Sequence, residues 1–474
     1  MLSVLVAHSY FLRFDEKQRR RAKPYPPLAT LQVAALLREA DHEVALFDAM
    51  LADGVFDYEG VLADARPQVV VFYEDNYNFL SKMCLGKMRR AACEMIASAK
   101  RSGARVIAAG SDASDAPADY LRAGADVVLR GEGLPALAAL VSRLDADTSL
   151  ATELLVAGVP AVVAAGFEPS QSGRGPPLPT PELPPPAWDL VDIERYRSVW
   201  QSAHGYFSLN MAASRGCSFR CDWCAKPIWG NRYLQRSANE TAEEMLLVKR
   251  RYAPDHVWFA DDIFGFRPDW VTAFGAALDA GGGGVPFTIQ LRADLVSQRM
   301  AQALRGAGCR EVWIGAESGS QKILDAMNKG TRVAEIVAAR DLLRAEGIRV
   351  GFFLQLGYLG ENLDDILATR DLVVRAQPDD VGISVAYPLP GTKFYELVKG
   401  QLGEKRHWQD SDDLDMMFFG TYRTEFYRLV RDLLHDHVSH GVSPALQRRW
   451  QDLVVREAQF RRIEPRGSLE ASLA

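Results

Sequence analysis

Three of the six cysteines in this 474-residue chain, Cys217, Cys221 and Cys224, lie in one short segment with the spacing C-x3-C-x2-C. Thiolates this close together can bind one metal centre, and iron–sulfur clusters are held by cysteines at such intervals. A [4Fe–4S] cluster with three protein thiolates has one iron open to an outside ligand. An open coordination position is typical of a reactive rather than a purely structural metal centre.

A structural zinc ion is the alternative to a cluster. It needs four ligands, usually supplied as two separated pairs. The distant candidates here are Cys309 and eight scattered histidines, none of which is paired with a neighbouring cysteine. Cys84 and Cys93 are scattered as well, and six cysteines are far too few for a disulfide scaffold. The sequence therefore favours an iron–sulfur cluster, in a chain that we expect in the reducing cytoplasm.

The elements that must position these cysteines are short β-rich runs that alternate with amphipathic helical segments. Apolar runs of this length, separated by helices, predict a parallel sheet that is covered on both faces. Residues 1–145 are therefore expected to form a doubly wound, Rossmann-like α/β domain that binds ligands at the carboxyl ends of its strands. Its predicted strands are residues 2–9, 43–49, 68–75, 105–112 and 125–133.

A proline-rich stretch interrupts this alternation, with seven prolines between residues 173 and 187. Such a sequence cannot continue a helix or a central strand and behaves as an extended spacer. Residues 146–203 are therefore expected to be a linker.

Beyond the linker the βα alternation runs six times, which falls short of an eight-stranded barrel. Residues 204–395 are expected to form a partial (β/α)6 TIM-like barrel, and residues 396–474 a mainly helical substrate or lid region. The three cysteines follow the first barrel strand, at the end of a barrel where chemistry is expected. The predicted barrel strands are residues 207–214, 256–260, 287–293, 311–317, 350–357 and 381–387.

Composition and charge argue against several kinds of partner. Lys and Arg number 55 and Asp and Glu 61, so the formal charge of −6 gives no general attraction to nucleic acid or anionic lipid. The basic run at residues 17–23 has no RNA-binding domain beside it. The longest nearly apolar stretch, residues 154–167, contains Pro160 and is shorter than the roughly 20 residues of a membrane helix. We expect no nucleic-acid partner and no membrane partner.

The segment from Arg215 to Cys224 resembles the signature of the radical S-adenosylmethionine (SAM) enzymes, including an aromatic residue, here Trp223, before the third cysteine. In that family the open iron binds SAM. A doubly wound N-terminal domain joined to this barrel is typical of the cobalamin-dependent group, which includes class B methyltransferases and the anaerobic magnesium-protoporphyrin monomethyl ester cyclase. The resemblance covers most of residues 1–395. It implies three cofactors, a [4Fe–4S] cluster, SAM and cobalamin.

The resemblance also implies SAM-binding positions at the ends of the later barrel strands. Asp261 or Asp262 would hold the amino end of SAM, where carboxylates suit a cation, or would cap the next helix. Arg292 would pair with the SAM carboxylate or form a structural ion pair, and Glu317 would lie near the ribose. The expected SAM-binding residues are Trp223, Asp261, Asp262, Arg292, Glu317, Ser318, Gly357 and Pro388.

For cobalamin, one motif of the classical binding domains is absent from the chain. This is Asp-x-His-x-x-Gly, whose histidine ligates cobalt from below. The resemblance therefore implies cobalamin bound without a protein histidine, as in relatives of this group, with Asn76 or Tyr77 approaching the lower face of cobalt. The expected cobalamin-binding residues are Tyr10, Asn76, Tyr77, Ser111, Gly131 and Glu132.

The implied activity is methylation of an unactivated carbon, in which a 5′-deoxyadenosyl radical abstracts hydrogen and methylcobalamin donates the methyl group. One alternative is a radical SAM cyclase or ring-rearranging enzyme with the same cofactors, and another is a non-catalytic cobalamin or redox sensor. The implied partners are a small-molecule substrate and an external electron donor such as flavodoxin or ferredoxin. The sequence assigns no individual catalytic group beyond the metal ligands.

Overall fold

The computed structural model describes residues 1–78, 86–166, 183–224, 228–229, 231–402 and 414–462. Cys84 and the linker prolines from Pro169 to Pro181 lie outside these described residues. The chain forms two sheets of mainly parallel strands, each packed against helices, and a helical C-terminal segment. The predicted α/β architecture is confirmed.

The first sheet contains all five strands predicted for the N-terminal domain. Runs of β-branched residues favour extended backbone, and every residue of Val69–Tyr73 is buried. The strands are Ser3–Ala7 (β1), Glu43–Phe47 (β2), Val69–Tyr73 (β3), Arg105–Ala109 (β4), Val127–Leu129 (β5) and Val162–Ala164 (β6). Their order is β2-β1-β3-β4-β5-β6, and β6 alone among them runs antiparallel to its neighbour.

Amphipathic helices pack against this sheet. In the segment Gly86–Arg101, buried residues such as Met88, Ala92 and Met95 recur at helical spacing, so one face is apolar. The helices of this domain are Glu16–Arg21 (α1), Leu28–Glu39 (α2), Val55–Ala65 (α3), Gly86–Arg101 (α4), Ser111–Asp115 (α5), Pro117–Ala123 (α6), Leu134–Ala146 (α7) and Thr152–Val156 (α8).

The N-terminal sheet extends past the predicted domain boundary at residue 145. Strand β6, which lies inside the predicted linker, pairs with β5. A second element of that stretch, Ile193–His204 (α9), is helical and buries Tyr196 and Trp200. The stretch 146–203 therefore contains ordered elements at both ends of its described part, which differs from a linker throughout.

The second sheet forms the predicted partial barrel. Its six parallel strands have the order β14-β13-β12-β11-β10-β7, and β8 pairs with β9 in a separate antiparallel ribbon. The strands are Ser208–Met211 (β7), Ser214–Gly216 (β8), Tyr233–Gln235 (β9), His256–Phe259 (β10), Phe287–Leu291 (β11), Cys309–Glu317 (β12), Arg349–Leu356 (β13) and Asp380–Val385 (β14).

Helices follow the barrel strands and build the C-terminal segment. None of them, in the part of the chain that the structure describes, is long and apolar enough to cross a bilayer. They are Ala238–Tyr252 (α10), Pro268–Ala280 (α11), Gln298–Gly306 (α12), Gln321–Ala326 (α13), Val333–Ala345 (α14), Leu363–Ala376 (α15), Lys393–Val398 (α16), Thr424–His440 (α17), Pro444–Val455 (α18) and Glu457–Phe460 (α19).

The two faces of the curled barrel sheet differ in character. On the outer face, side chains such as Val257, Ile289 and Val312 are fully buried in the core beneath the helices. The alternate positions point to the concave side, because successive strand residues face opposite sides of a sheet. We call this concave surface the lumen face. Its residues include Trp258, Gln290, Trp313, Phe353 and Gln355.

The N-terminal domain is joined to β7 through the segment before α2. The Tyr25 hydroxyl lies 3.1 Å from the Ser208 hydroxyl, and the Asn210 amide donates to the carbonyl oxygen of Pro26 over 3.0 Å. The Trp200 indole donates to the Pro24 carbonyl over 2.7 Å. These hydrogen bonds hold the first strand of the barrel against the N-terminal domain.

Gly319 is a site where the fold leaves no room for a side chain. A Cβ atom there would lie 2.2 Å from the backbone oxygen of Ala368 in α15. We therefore expect Gly319→Ala to destabilise the protein by about 1–3 kcal/mol through overpacking, measured as a lower melting temperature.

The control for this substitution is Gly60→Ala in α3. A Cβ atom at residue 60 meets nothing within 4 Å, and alanine is favoured over glycine inside a helix by roughly 0.5–1 kcal/mol. The melting temperature of that variant should be unchanged or higher. Equal melting temperatures for the two variants would contradict the packing argument.

Candidate active site

The first cysteine is positioned by the β8–β9 ribbon. Gly216, directly before Cys217, has φ of +77°, and a Cβ atom there would lie 2.4 Å from the Arg232 carbonyl oxygen. Only glycine fits this backbone, because both the conformation and the space exclude a side chain. Cys217 itself is buried. The sequence analysis did not predict this ribbon, since each of its strands is only three residues long.

The rest of the cysteine loop is fixed by backbone hydrogen bonds. The Asp222 amide donates to the Met327 carbonyl over 3.0 Å, and the Asp222 carbonyl accepts from the Phe394 amide over 3.0 Å. Asn328 donates its side-chain amide to the Arg220 carbonyl over 2.9 Å. The loop is thereby tied to residues that follow β12 and β14.

Arg292 lies against the second cysteine. Its Nη1 is 3.6 Å from Cys221 Sγ, and its guanidinium lies 3.7 Å from the centre of the Phe219 ring. It also forms a two-pronged ion pair with Asp294 over 2.9 and 3.0 Å. The structural ion pair weighed for Arg292 is therefore present. The same guanidinium places a positive charge beside one of the three candidate metal ligands.

Lys329 is a second cation at this site, and the sequence analysis missed it. Its Nζ lies 2.7 Å from Glu317 Oε1, and both side chains are buried. Burial lowers the pKa of Lys329, but the carboxylate of Glu317 and the thiol of Cys221 outweigh burial and raise it overall. Lysine is rarely this buried unless it is paired. The available signal was the turn sequence Asn-Lys-Gly, which is too common to stand alone.

The Glu317–Lys329 pair lies over the backbone of β12. A Cβ atom at Gly315 would lie 2.7 Å from Glu317 Oε1 and 2.8 Å from Lys329 Nζ. Glu317 also has φ of +61°, at a register shift between β12 and β13. A non-glycine residue in this region is strained, and such strain concentrates at functional sites. The predicted placement of Glu317 at the strand end is consistent with this geometry.

The other residues predicted to bind SAM differ in whether they have hydrogen-bond partners within the protein. Both carboxylate oxygens of Asp261 accept hydrogen bonds from the segment that follows β7, one from the Ala213 amide and one from the Ser214 hydroxyl. Ser318 contacts Thr369, with 3.2 Å between their hydroxyl oxygens. The structure therefore gives Asp261 and Ser318 structural partners. Asp262, Trp223, Gly357 and Pro388 also lie at the carboxyl ends of the barrel strands.

The residues predicted for cobalamin surround the carboxyl ends of the first sheet. Asn76 is buried, and neither atom of its amide completes a hydrogen bond within the described residues, although the Tyr73 hydroxyl is nearby. The buried Ser111 hydroxyl is likewise without a partner there. Gly131 follows β5 with φ of +82°. Buried polar groups are normally satisfied, so these atoms fit a polar ligand at this edge.

Two further predicted residues have aromatic or hydroxyl partners. The Tyr77 ring lies 5.4 Å from the ring of Trp229, which follows the cysteine loop. The Tyr10 hydroxyl instead donates to Asp15 over 3.0 Å. Tyr77 therefore lies where the two domains meet, whereas the Tyr10 hydroxyl is engaged within the N-terminal domain.

Glu132 forms an ion pair with Arg215 that connects the domains. Both side chains are 2% exposed. Arg215 lies two residues before Cys217, and Glu132 follows β5 of the first sheet, where its carbonyl accepts from the Tyr73 hydroxyl over 2.8 Å. The cysteine loop is therefore linked directly to the ligand-binding edge of the N-terminal domain.

The donor set fits an iron–sulfur cluster by its chemistry. Three thiols share one loop, and the cations of Arg292 and Lys329 lie beside Cys221. Among the described residues no three His, Cys, Asp or Glu side chains are already grouped as a closed metal site. The fit therefore rests on ligand type, spacing and neighbouring charge.

Known proteins resemble this chain in sequence and in fold. Residues 211–373 match the family model of the Radical SAM superfamily. Over 403 residues the chain is 24% identical to an uncharacterized methyltransferase of Pyrococcus horikoshii, and the alignment covers 82% of each of the two chains. Other curated relatives are matched over less than half of their own length.

Two solved structures share the fold. The radical SAM methyltransferase TsrM of Kitasatospora setae, with cobalamin and a [4Fe–4S] cluster bound, has a TM-score of 0.66 at 18% identity and covers 85% of this chain and 79% of its own. OxsB, a cobalamin-dependent radical SAM enzyme with aqua-cobalamin bound, has a TM-score of 0.70 at 16% identity and covers 97% and 71%.

These matches define the class of protein. The chain contains a radical SAM domain that is preceded by a doubly wound domain, in the fold of the cobalamin-dependent radical SAM enzymes. The resemblance carried by the segment from Arg215 to Cys224 is confirmed by the family match over residues 211–373.

The inter-domain ion pair between Arg215 and Glu132 predicts that a single substitution in it lowers the stability of the protein strongly. Glu132→Gln would leave the buried Arg215 without its counter-charge, and removing one partner of a buried pair costs about 3–5 kcal/mol. We expect a clear fall in the melting temperature. Asp53→Asn, which breaks the exposed pair of Asp53 with Arg13, should cost less than about 1 kcal/mol. Equal losses in the two variants would count against a structural role for Glu132.

The environment of Asp261 predicts that the stability of the folded protein depends on pH. Burial is the main cause that raises its pKa to about 7. Because the pKa in the folded state lies above that in the unfolded state, the folded state holds the proton more tightly. The resulting stabilisation is present below about pH 4 and is lost as the pH rises towards and past 7.

The test of this pH dependence is the substitution Asp261→Asn. The melting temperature of the variant, relative to the wild type, should rise between pH 5 and pH 8. Asp279→Asn, at an exposed position of α11, is the control and should follow the wild type. A constant difference between Asp261→Asn and the wild type across this range would refute the assignment.

Proposed function

We propose that this protein is a cobalamin-dependent radical SAM methyltransferase that methylates an unactivated carbon of a small molecule. The observation that carries the proposal is the buried Arg215–Glu132 pair, which fixes a three-cysteine loop directly against the ligand-binding edge of a doubly wound domain. A cytoplasmic location and an electron donor such as flavodoxin or ferredoxin belong to the same proposal.

Each cofactor would be held by a different part of the chain. Cys217, Cys221 and Cys224 would bind the cluster, and the Glu317–Lys329 pair would face the charged amino and carboxylate ends of SAM. When bound, the cluster and SAM supply a hydrogen-abstracting carbon radical, and cobalamin supplies the methyl group.

Side chains of the protein position the cysteine loop and close the space between the two domains. Arg292 lies beside Cys221 and Lys329 interacts with it electrostatically, so these two cations would compensate negative charge on a bound cluster. Arg215 holds the cysteine loop at a set distance from the first sheet. The contacts of Pro24–Pro27 with α9 and β7 help to close the space between the domains, which helps to exclude water from a reactive centre.

On the cobalamin side, Asn76 and Tyr77 are proposed to face the lower side of cobalt. Asn76 brings a buried amide with unused hydrogen-bonding atoms. Tyr77 brings a ring that packs on Trp229. We expect Asn76→Ala to alter the visible absorption spectrum of bound cobalamin, because the group below cobalt sets that spectrum.

The experiment that tests the function is anaerobic. The protein is reconstituted with iron, sulfide and hydroxocobalamin, freed of unbound cofactor, and mixed with SAM and a strong reductant. We expect retained cobalamin and formation of 5′-deoxyadenosine, with loss of the nucleoside in Cys221→Ala because that variant lacks one of the three cluster ligands.

Cys93→Ala is the matched control, since Cys93 is a partly buried thiol in the N-terminal domain, outside the cysteine loop. It should retain full nucleoside formation. Nucleoside formation without retained cobalamin would remove the methyl-transfer mechanism. A product that has gained no methyl group, once a substrate is found, would favour the cyclase or rearrangement alternative.

A further inference from the structure

An aromatic wall lines part of the lumen face. The rings of Trp313 on β12 and Phe353 on β13 are stacked, with 4.7 Å between their centres and 27° between their planes. Two glycines make room for them. A Cβ atom at Gly351 would lie 2.6 Å from the Trp313 ring, and one at Gly382 would lie 3.0 Å from the Phe353 ring. The rings therefore lie flat along the sheet.

This aromatic wall is not part of the packed core. Trp313 and Phe353 are partly exposed, and neither contributes to the two hydrophobic cores formed by the described residues. The neighbouring lumen residue Trp258 on β10 is also partly exposed. Large apolar side chains that face a concavity without being covered are typical of ligand pockets.

Buried hydrogen-bond acceptors lie on the same face. Gln355 is 5% exposed and Asn210 is 4% exposed. The side-chain oxygen of each has no hydrogen-bond partner within the part of the chain that the structure describes. Burying an acceptor without a donor is unfavourable. Each of these oxygens could accept a hydrogen bond from a donor group of a bound molecule.

The aromatic wall begins directly beside the charged site. Phe353 is the register partner of Gly315 on β12. The Glu317 carboxylate and Lys329 Nζ lie over the backbone of that same glycine. A molecule on the aromatic wall would therefore lie next to the pair that is proposed to hold SAM.

We propose that the aromatic wall and the Gln355 amide oxygen bind the substrate, and that the substrate carries a flat aromatic ring with an N–H or O–H donor. This inference rests on the proposed function for the reaction but not for the binding. Aromatic rings favour stacked contact with other rings, and the amide oxygen of Gln355, two residues beyond Phe353 on the same strand face, accepts from the donor. The adenine of SAM is the competing source of a flat ring.

The test measures the binding of 5-fluoroindole to the cluster-reconstituted full chain by fluorine NMR, with and without saturating SAM. We expect saturable binding that persists with SAM. Trp313→Leu should weaken it by about threefold to tenfold. N-Methyl-5-fluoroindole, which lacks the N–H donor, should bind about tenfold more weakly to the wild type, and Gln355→Met should reduce that difference.

Trp270→Leu is the matched control, because Trp270 also stacks on a phenylalanine, 5.5 Å from Phe274, but on the outer helix α11. It should bind 5-fluoroindole as the wild type does. Displacement of the probe by SAM would assign the aromatic wall to adenine and overturn the proposal, as would equal binding in Trp313→Leu or no saturable binding. Nucleoside formation assayed on the same preparation separates failure of this inference from failure of the proposed function.

Discussion

The ion pair between Arg215 and Glu132 is the interaction on which the relative placement of the two halves of the site depends. Two charges removed from water are tolerated only when each is compensated, and here each compensates the other across the domain boundary. Because Arg215 is two residues from Cys217, a shift of the N-terminal domain would pull on the cysteine loop. The cysteine loop and the ligand-binding edge of the first sheet are therefore held in a fixed position relative to each other.

Charge compensation also organises the radical SAM site itself. Arg292 is neutralised by Asp294, and Lys329 by Glu317, while both cations remain beside Cys221. Each of these two cations therefore has a carboxylate partner, and the charges of the site are compensated in pairs. The lumen face next to it is aromatic and carries an unused acceptor at Gln355, which suits a flat ring with a hydrogen-bond donor.

Local sequence patterns were enough for much of the architecture. The five strands of the first domain and the six parallel barrel strands follow from apolar runs separated by helices. The short strands β6, β8 and β9 did not, because β8 and β9 contain no apolar run and β6 lies in a stretch interpreted as a linker. Asp261 was expected at SAM by resemblance, but its two oxygens accept from Ala213 and Ser214, an arrangement that depends on how two strand ends meet.

The sequence by itself determined the α/β class and predicted the order of the domains and three metal-binding cysteines, because each of these is encoded over short stretches of neighbouring residues. The tertiary structure decided that Arg215 pairs with Glu132, that Lys329 reaches Glu317, and which face of the barrel strands is concave. Strands buried on both sides read as continuous apolar runs, so the pattern cannot tell the helix-covered face from the lumen face. Only the curl of the sheet separates them.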